Sequence, residues 1–182
     1  VKKGVSIMDD FFEPLRSTKY YSSKQEEMVA KYLGWGVVSG SGSRAGKPGD
    51  ISGAHFLGEC KTHTQPNQPL LFDKGVWKKL QDEAQSTHRF PVLVVDDGSQ
   101  KINKTWCMFP IFIVPQYAKI IADSDNCKTK HLRYTVDKLE SKYLEGKLQL
   151  EDDIGVVVIA KNYGNETVGI TTLTDFACMF GD

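Results

Sequence analysis

The sequence lacks several features that would assign a protein class directly. No apolar run approaches the roughly 20 residues that a membrane-spanning helix needs, and the start carries no signal-peptide pattern. We therefore expect a cytoplasmic protein with no membrane contact. The four cysteines form no Cys-x-x-Cys pair and their spacing fits no zinc site. We expect these thiols to be reduced and mostly buried.

The chain also has no net charge, because 23 basic residues balance 23 acidic ones. The chain as a whole therefore has no general attraction for nucleic acid. The distribution is less even. If Glu26, Asp50 and Glu59 surround a cation, the bases outnumber the remaining acids between residues 24 and 89. That half of the chain can present a locally positive face, although scattered solvated charge explains the same composition.

The most informative stretch is residues 48–61, which begins with a Pro-Gly turn before Asp50. Residues 51–58 have the pattern of two short strands joined by a tight turn, and antiparallel pairing would bring Asp50 beside Glu59. Two convergent carboxylates repel each other unless a cation lies between them, and oxygen ligands with room for water suit Mg²⁺ or Mn²⁺. Lys61, two residues after Glu59, points to the same side of a strand. Paired carboxylates, a metal and an ammonium are what phosphodiester hydrolysis needs.

The segment before this stretch predicts a helix and a loop. The helix is expected to start at Ser22 or Ser23 with a capping box and to end at Gly34. Glu26 is then either part of the cap or a third acid of the site. The glycine-rich basic loop that follows does not match a P-loop. It is either an ordinary linker or a loop that approaches a phosphate backbone.

The remaining periodicity predicts an α/β fold with a mixed central sheet flanked by helices. Helical spacing over residues 75–88 places Val76, Leu80 and Ala84 on the buried stripe and leaves Trp77 off it. Residues 91–95 and 105–113 read as strands. Further along, we predict a short helix over 117–122, a helix over 136–148, and strands over 154–160 and 168–173. The apolar residues 176–180 are expected to extend the sheet or to make an oligomer contact.

Glu26, Asp50 and Glu59-x-Lys61 together form an E…D…ExK signature. With the Ser-Gly-Ser loop at 41–43 and the Phe-Leu-x-Glu-Cys-Lys-Thr strand at 56–62, the chain resembles the PD-(D/E)xK nuclease superfamily. Within it, the chain is most similar to phage-encoded relatives of archaeal Holliday junction resolvases. One departure is that the first strand-borne acid follows Pro-Gly rather than a bare proline. The resemblance covers about residues 22–113.

The resemblance implies a restriction-endonuclease-like core over residues 22–114, preceded by an N-terminal arm, 1–21, and followed by a C-terminal α+β extension, 115–182. It implies a Mg²⁺-dependent endodeoxyribonuclease that resolves four-way or otherwise branched DNA. Three alternatives remain open. They are another nuclease of the superfamily (restriction-like, flap or recombination exonuclease), a catalytically silent DNA-binding module on the same fold, and a metal-binding surface with no nuclease role.

The resemblance also implies roles for individual residues. Glu26, Asp50, Glu59 and Lys61 would be catalytic. Asp50, Glu59 and the Cys60 carbonyl would bind one or two Mg²⁺ ions, with Mn²⁺ as a substitute, and Glu26 would reach the metal directly or through water. DNA would be held by Ser41, Ser43, Arg44, Lys47, Trp77, Lys78 and Lys79.

Junction resolution needs two opposed cuts, so the resemblance also implies a two-fold homodimer. Its interface is expected on an exposed apolar strand or on residues 176–180. For a phage-encoded protein, the compartment would be the cytoplasm of the host cell.

Overall fold

The computed structural model describes residues 16–39, 47–123, 131–150, 155–163 and 166–181. These residues contain ten strands and four α-helices. The helices are α1 Thr18–Leu33, α2 Lys74–Ser86, α3 Val136–Lys147 and α4 Leu173–Phe180. The strands are β1 Gly36–Val37, β2 Ile51–Ser52, β3 Phe56–Lys61, β4 Leu70–Asp73, β5 Phe90–Asp96, β6 Thr105–Pro110, β7 Lys119–Asp123, β8 His131–Tyr134, β9 Val156–Tyr163 and β10 Glu166–Thr172.

Eight of these strands form one mixed sheet in the order β1-β2-β3-β5-β6-β10-β9-β7. The pairs β3–β5 and β7–β9 are parallel and the other neighbours are antiparallel. Strands β4 and β8 form a separate antiparallel pair. The predicted α/β fold with a mixed central sheet flanked by helices is therefore confirmed, and three strands that follow residue 115 are part of the same sheet.

Side chains of β3 alternate between the two sides of this sheet, as the pleat requires. Leu57 belongs to a core cluster that includes residues of α2, α3 and the β4–β8 pair. Cys60 belongs to a second cluster that includes residues of α1 and α4. By the same alternation, Glu59 and Lys61 point to the side of Leu57, where the β4–β8 pair lies.

Residues 117–122 are not the short helix that the sequence predicts, because strand β7 occupies most of that range. Its adjacent β-branched residues, Ile120 and Ile121, pair in parallel with the valine-rich start of β9 in the register Lys119↔Val156. β-branched side chains favour a pleated, half-buried surface. Pairing with β9 therefore outweighs the local helical pattern, and the segment forms a strand.

The apolar residues 176–180 form most of helix α4 rather than a strand or an exposed contact. The Thr172 hydroxyl caps the helix by accepting a 3.1 Å hydrogen bond from the Asp175 N–H. Phe176 is 0% exposed, and its ring centroid lies 5.5 Å from that of Phe56 and 5.4 Å from that of Phe109. Phe176 is thus buried in its own subunit, and a role of this segment in a dimer interface stays a prediction.

Cys60 and Cys107 are buried free thiols, as expected, whereas Cys178 is exposed. Cys127 and most of the predicted N-terminal arm lie outside the described residues. Helix α1 begins at Thr18, so the predicted boundary between residues 21 and 22 falls inside this helix. None of the helices in the described parts of the chain is long and apolar enough to span a bilayer.

Candidate active site

Strands β2 and β3 form the predicted antiparallel hairpin, and its backbone is irregular at Asp50. Ile51 pairs with Gly58, and the Asp50 N–H also points to β3, where it donates a 2.8 Å hydrogen bond to the Gly58 carbonyl. Two adjacent residues therefore oppose Gly58, as in a β-bulge. The Asp50 carboxylate nevertheless lies next to the Glu59–Cys60 peptide bond, because it accepts a hydrogen bond from the Cys60 N–H.

Two glycines make this close pairing feasible. Gly49 has φ +69°, a left-handed conformation that favours glycine, and a Cβ there would lie 2.7 Å from Leu57 Cδ1. A Cβ on Gly58 would lie 2.6 Å from Ile51 Cγ1. A side chain at either position would push the two strands apart and carry Asp50 away from its partners.

Asp50 is fixed by the backbone of the neighbouring strand. Its Oδ2 accepts a 2.9 Å hydrogen bond from the Cys60 N–H. The N–H and C=O of one strand residue point towards the same neighbour, so the Cys60 carbonyl lies on the Asp50 side of β3. This geometry places the predicted backbone ligand near the two carboxylates.

Lys61 forms an ion pair with Glu59, with 2.8 Å between Nζ and Oε1. Desolvation opposes the charged form of Lys61. The hydrogen bond to Glu59 and the negative charges of Glu59 and Asp50 outweigh that effect and raise the pKa of the ammonium. These effects favour the charged ammonium of Lys61, which suits charge stabilisation and hydrogen-bond donation.

Glu26, on α1, is near enough to the hairpin acids for their charges to act on its carboxyl group. Desolvation raises the pKa of its carboxyl group, and the charges of Asp50 and Glu59 raise it further, with Lys61 acting in the opposite direction. The two strand acids and the helix acid thus share one electrostatic environment with Lys61, as the sequence predicts for the four candidate catalytic residues.

The predicted capping role of Glu26 is wrong, because α1 begins earlier than expected. Its N-cap is Ser17, whose side chain makes no capping hydrogen bond. Ser22 lies within the helix, and its hydroxyl donates to the Thr18 carbonyl at 3.3 Å. Glu26 is therefore in the third turn, where a side chain cannot reach the helix N-terminus.

Gln25 holds α1 against the end of β3, and sequence reasoning gave it no role in the site. It is 0% exposed, and its Nε2 donates a 3.0 Å hydrogen bond to the Lys61 carbonyl. This bond links the residue before Glu26 to the last residue of the ExK strand. The sequence carries no signal for this role, because the partner of Gln25 is a backbone carbonyl.

Asp96 is a second feature that sequence reasoning missed, because residues 96–98 read only as a turn. It ends β5 beside Lys61, whose strand partner is Val95. The Asp96 Oδ1 accepts from the Thr62 hydroxyl at 2.5 Å and from the Gly98 N–H at 2.8 Å. Desolvation is the main cause that raises the pKa of Asp96. These bonds fix the segment that leaves the active site after Lys61.

Oxygen atoms alone are available to hold a divalent cation at the hairpin. No group of three or more His, Cys, Asp or Glu side chains is spaced to hold a metal within the described residues. Mg²⁺ does not require three protein side chains, because it binds through one or two carboxylates, keeps several waters and takes further oxygens from phosphate. Asp50, Glu59 and the Cys60 carbonyl fit that requirement. A cation would offset the charges of Asp50 and Glu59, which add to desolvation in raising the pKa of Glu26.

The predicted DNA contacts are only partly placed. Ser41, Ser43 and Arg44 lie outside the described residues. Lys47 is exposed, and its Nζ donates a 3.0 Å hydrogen bond to the Ser39 carbonyl, which joins the two ends of the glycine-rich loop. Lys78 and Lys79 are exposed on α2.

Trp77 is the exception, and its predicted position off the buried stripe is wrong. It is 2% exposed, and its Nε1 donates to Glu166 Oε2 at 3.3 Å. The buried stripe of α2 consists of Trp77, Leu80 and Ala84, with Val76 only partly buried. Trp77 therefore packs in the core and has no free face for DNA.

Comparisons with protein-family models, with curated proteins and with solved structures found no match to this chain. The function is therefore inferred from the geometry of the site and from the sequence signature.

Proposed function

We propose that this chain is a Mg²⁺-dependent DNA endonuclease with a restriction-endonuclease-like core, and that it cuts branched DNA, with four-way junctions as its preferred substrate. The observation that carries the proposal is the shared site of Glu26, Asp50, Glu59 and Lys61. In it, the Asp50 carboxylate is held at the Cys60 N–H next to Glu59, Lys61 pairs with Glu59, and the charges of both strand acids act on Glu26 of α1. The resolvase-like signature in the sequence supports the choice of branched DNA.

A bound Mg²⁺ would supply a Lewis acid that polarises the phosphate and acidifies a water molecule. Asp50, Glu59 and the Cys60 carbonyl are the groups that would hold it. The Lys61 ammonium donates hydrogen bonds to the phosphate oxygen on which charge develops. Glu26, whose pKa is raised, accepts a hydrogen bond from the attacking water and orients it.

In this proposal Lys61 stabilises the charge on the phosphate, and Glu26 positions the attacking water. Cutting two opposed strands of a junction requires two such centres, so the proposal includes a two-fold homodimer. Lys47, Lys78 and Lys79 are the described lysines that we assign to contacts with the phosphate backbone.

The test is cleavage of four substrates in Mg²⁺, namely a four-way junction, a flap, a linear duplex and a single strand. We expect paired symmetric nicks in the junction. Equal cutting of the linear duplex would replace the resolvase by another nuclease of the same chemistry. Binding without any cutting would favour a catalytically silent module.

Asp50→Asn is the matched control for this experiment. Its remaining carbonyl oxygen can still accept the Cys60 N–H, so the hairpin should fold as before. The loss of one charged ligand should lower cleavage by about 100-fold or more. Unchanged cleavage by Asp50→Asn would exclude the hairpin as the catalytic centre.

A further inference from the structure

A second group of basic residues lies on the outer face of the β4–β8 pair. The inner face of this pair is buried in the core and consists of Leu70, Phe72, Leu132 and Tyr134. The register Leu71↔Arg133 and Asp73↔His131 places the alternate residues on the opposite, outer face. Leu71, Arg133 and His131 are all exposed, so an apolar side chain and two basic ones share this surface.

These residues line a cavity of about 480 Å³ together with the segment that leaves the active site. The full lining is His63, Gln68, Pro69, Leu71, His131 and Arg133. The volume lies within the range of small-molecule sites. Leu71 and Pro69 supply apolar surface, and the basic groups surround it.

The segment between Lys61 and β4 is held in place, so the cavity has a fixed wall. The His63 Nε2 donates a 3.0 Å hydrogen bond to the Pro69 carbonyl, since a carbonyl can only accept. The Gln68 N–H donates to the Asp97 carbonyl at 2.9 Å. The Thr62 hydroxyl donates to Asp96, as described above. One end of the cavity wall is therefore anchored to the end of β5.

The cavity lies on the same side of the sheet as the candidate active site. Glu59 and Lys61 point to the side of the β4–β8 pair, and His63 follows Lys61 by two residues. Two residues of chain span at most about 7 Å. A DNA strand spaces its phosphates by a similar amount, because one strand rises 3.4 Å per nucleotide along the axis and also winds around it. A strand cut beside Lys61 can thus continue towards this cavity.

The charge of the cavity is only partly compensated. The His131 Nδ1 lies 2.6 Å from Asp73 Oδ2, and Asp73 also caps α2 by accepting from the Val76 N–H at 2.9 Å. Arg133 has no acidic partner in the described part of the chain. A planar guanidinium presents a fork of N–H donors that is well suited to a phosphate group.

We propose that this cavity is a subsite for one unpaired nucleotide of the substrate strand, next to the cut. Arg133 binds a backbone phosphate, and the base lies against Leu71 and Pro69 beside the His63 imidazole. A base within a duplex cannot enter a concave site, whereas a branch point offers unpaired bases. This subsite rests on the proposed nuclease function and adds a reason for the enzyme to select branched DNA over linear duplex.

The test uses fluorescein-labelled flap DNA and linear duplex DNA in Ca²⁺, and binding is followed by anisotropy at several salt concentrations. Arg133→Gln should weaken flap binding and reduce the slope of log K against log salt by about one. It should have little effect on the linear duplex. Arg89→Gln is the matched control, because it removes the same charge just before β5, at the opposite end of the β3–β5 pair from Lys61, and it should change neither quantity.

A second arm tests the base itself. An abasic residue is moved through the unpaired nucleotides next to the branch. At one position it should weaken binding to the wild type by about five- to 150-fold, the range that corresponds to the stacking energy of one base on a protein side chain. The same abasic residue should have no further effect on Leu71→Ala. Both variants should retain the thermal midpoint of the wild type, because Leu71 and Arg133 are exposed.

The outcomes distinguish failure of the subsite proposal from failure of the proposed nuclease function. If the wild type cuts branched DNA while Arg133→Gln behaves like Arg89→Gln, the subsite is wrong and the nuclease function stands. Equal weakening of flap and linear duplex by Arg133→Gln would reduce Arg133 to a general phosphate contact and also overturn the subsite. A wild type that neither binds nor cuts any DNA overturns both proposals.

Discussion

The two ends of the β3–β5 pair contrast sharply in chemistry. At the start of the strands, Phe56 pairs with Phe90 and stacks on Trp35 at 5.5 Å with an interplanar angle of 13°. At the other end are Glu59 and Lys61 on β3 and Asp96 on β5. One end of the same two strands is thus an aromatic cluster, and the other holds crowded charges.

The contrast also appears in how completely polar groups are satisfied. At the charged end, Gln25 Oε1, Asp96 Oδ2 and Ser99 Oγ are buried without a hydrogen-bond partner in the described part of the chain. Each fully buried Phe at the aromatic end contributes about 1.5–3 kcal/mol. We infer that the aromatic end stabilises the sheet enough to hold an unfavourable arrangement of carboxylates at the other end.

The largest loss of stability is expected when the Phe56 side chain is removed from the aromatic end. Phe56→Ala should lower the free energy of unfolding by about 3–5 kcal/mol, because it leaves a cavity among packed rings. Urea denaturation measures the change. Phe112→Ala is the control, since Phe112 is 76% exposed and should cost less than about 0.5 kcal/mol. Similar costs for the two variants would refute a stabilising role for the cluster.

Metal binding at the charged end should stabilise the folded protein. At a Mg²⁺ concentration ten times the Kd, the wild type should gain about 1.4 kcal/mol in unfolding free energy, because the ion binds only the folded state. Calorimetry in increasing Mg²⁺ checks this without reference to activity. Asp50→Asn should lose most of the gain, and an equal gain in that variant would place the ion elsewhere.

Asp73 supplies a smaller, local contribution at the start of α2. Its hydrogen bond from the Val76 N–H, opposed by desolvation, is the main cause that lowers the pKa of this carboxyl. The stabilisation is therefore present above the unfolded-state pKa and is lost as the pH falls through the lower folded-state value. Asp73→Ala should cost about 1 kcal/mol at pH 7 and almost nothing below that value, as measured by denaturation at several pH values.

Two variants control the Asp73 measurement. Ser17→Ala removes an N-cap side chain that makes no capping bond in α1, and should be close to neutral. Asp73→Asn keeps the cap, because Asn is as good an N-cap as Asp, and removes the ion pair with His131. A Ser17→Ala cost as large as that of Asp73→Ala would contradict the assigned role of the hydrogen bond.

Glu26→Gln should give the smallest change in stability and one of opposite sign. Because burial and nearby carboxylates raise the pKa of Glu26 above 4.5, the folded state of the wild type loses stability as the pH rises through the folded-state value. The variant should therefore be more stable at pH 7, by less than about 1 kcal/mol given the solvent screening of a part-exposed group. Thermal unfolding at pH 4 and pH 7, without metal, measures the difference.

Cleavage distinguishes the interpretations of this last variant. A catalytic Glu26 predicts that Glu26→Gln loses activity while its melting temperature at pH 7 is unchanged or higher. A lower melting temperature with proportionate loss of activity would indicate that Glu26 serves the fold alone.

The hairpin could be predicted because its signals are local. A Pro-Gly turn before Asp50 and a short turn between two apolar runs are enough to indicate antiparallel strands. The irregular backbone at Asp50 has no such local signal. The buried strand β5 is equally local, since a continuous valine-rich run has few alternatives.

Other features depend on partners distant in the chain. The stripes led by Val76 and by Trp77 share Leu80 and Ala84 and differ by one residue, so only the packing around α2 decides between them. The Leu71↔Arg133 pairing joins segments with no common pattern, so the cavity on the β4–β8 pair could not be predicted. Gln25 was missed because its partner is a backbone carbonyl, which leaves no trace in the sequence.

The position of β10 has a consequence for the order of folding during synthesis. β10 pairs with β6 from Trp106↔Thr172 to Pro110↔Val168, although the ribosome makes it after every other strand. Until residues 166–172 emerge, β6 has an open edge, and open edges pair readily with other chains. The sheet that supports the candidate site is thus completed late. A pause in translation before β10 should favour aggregation over activity.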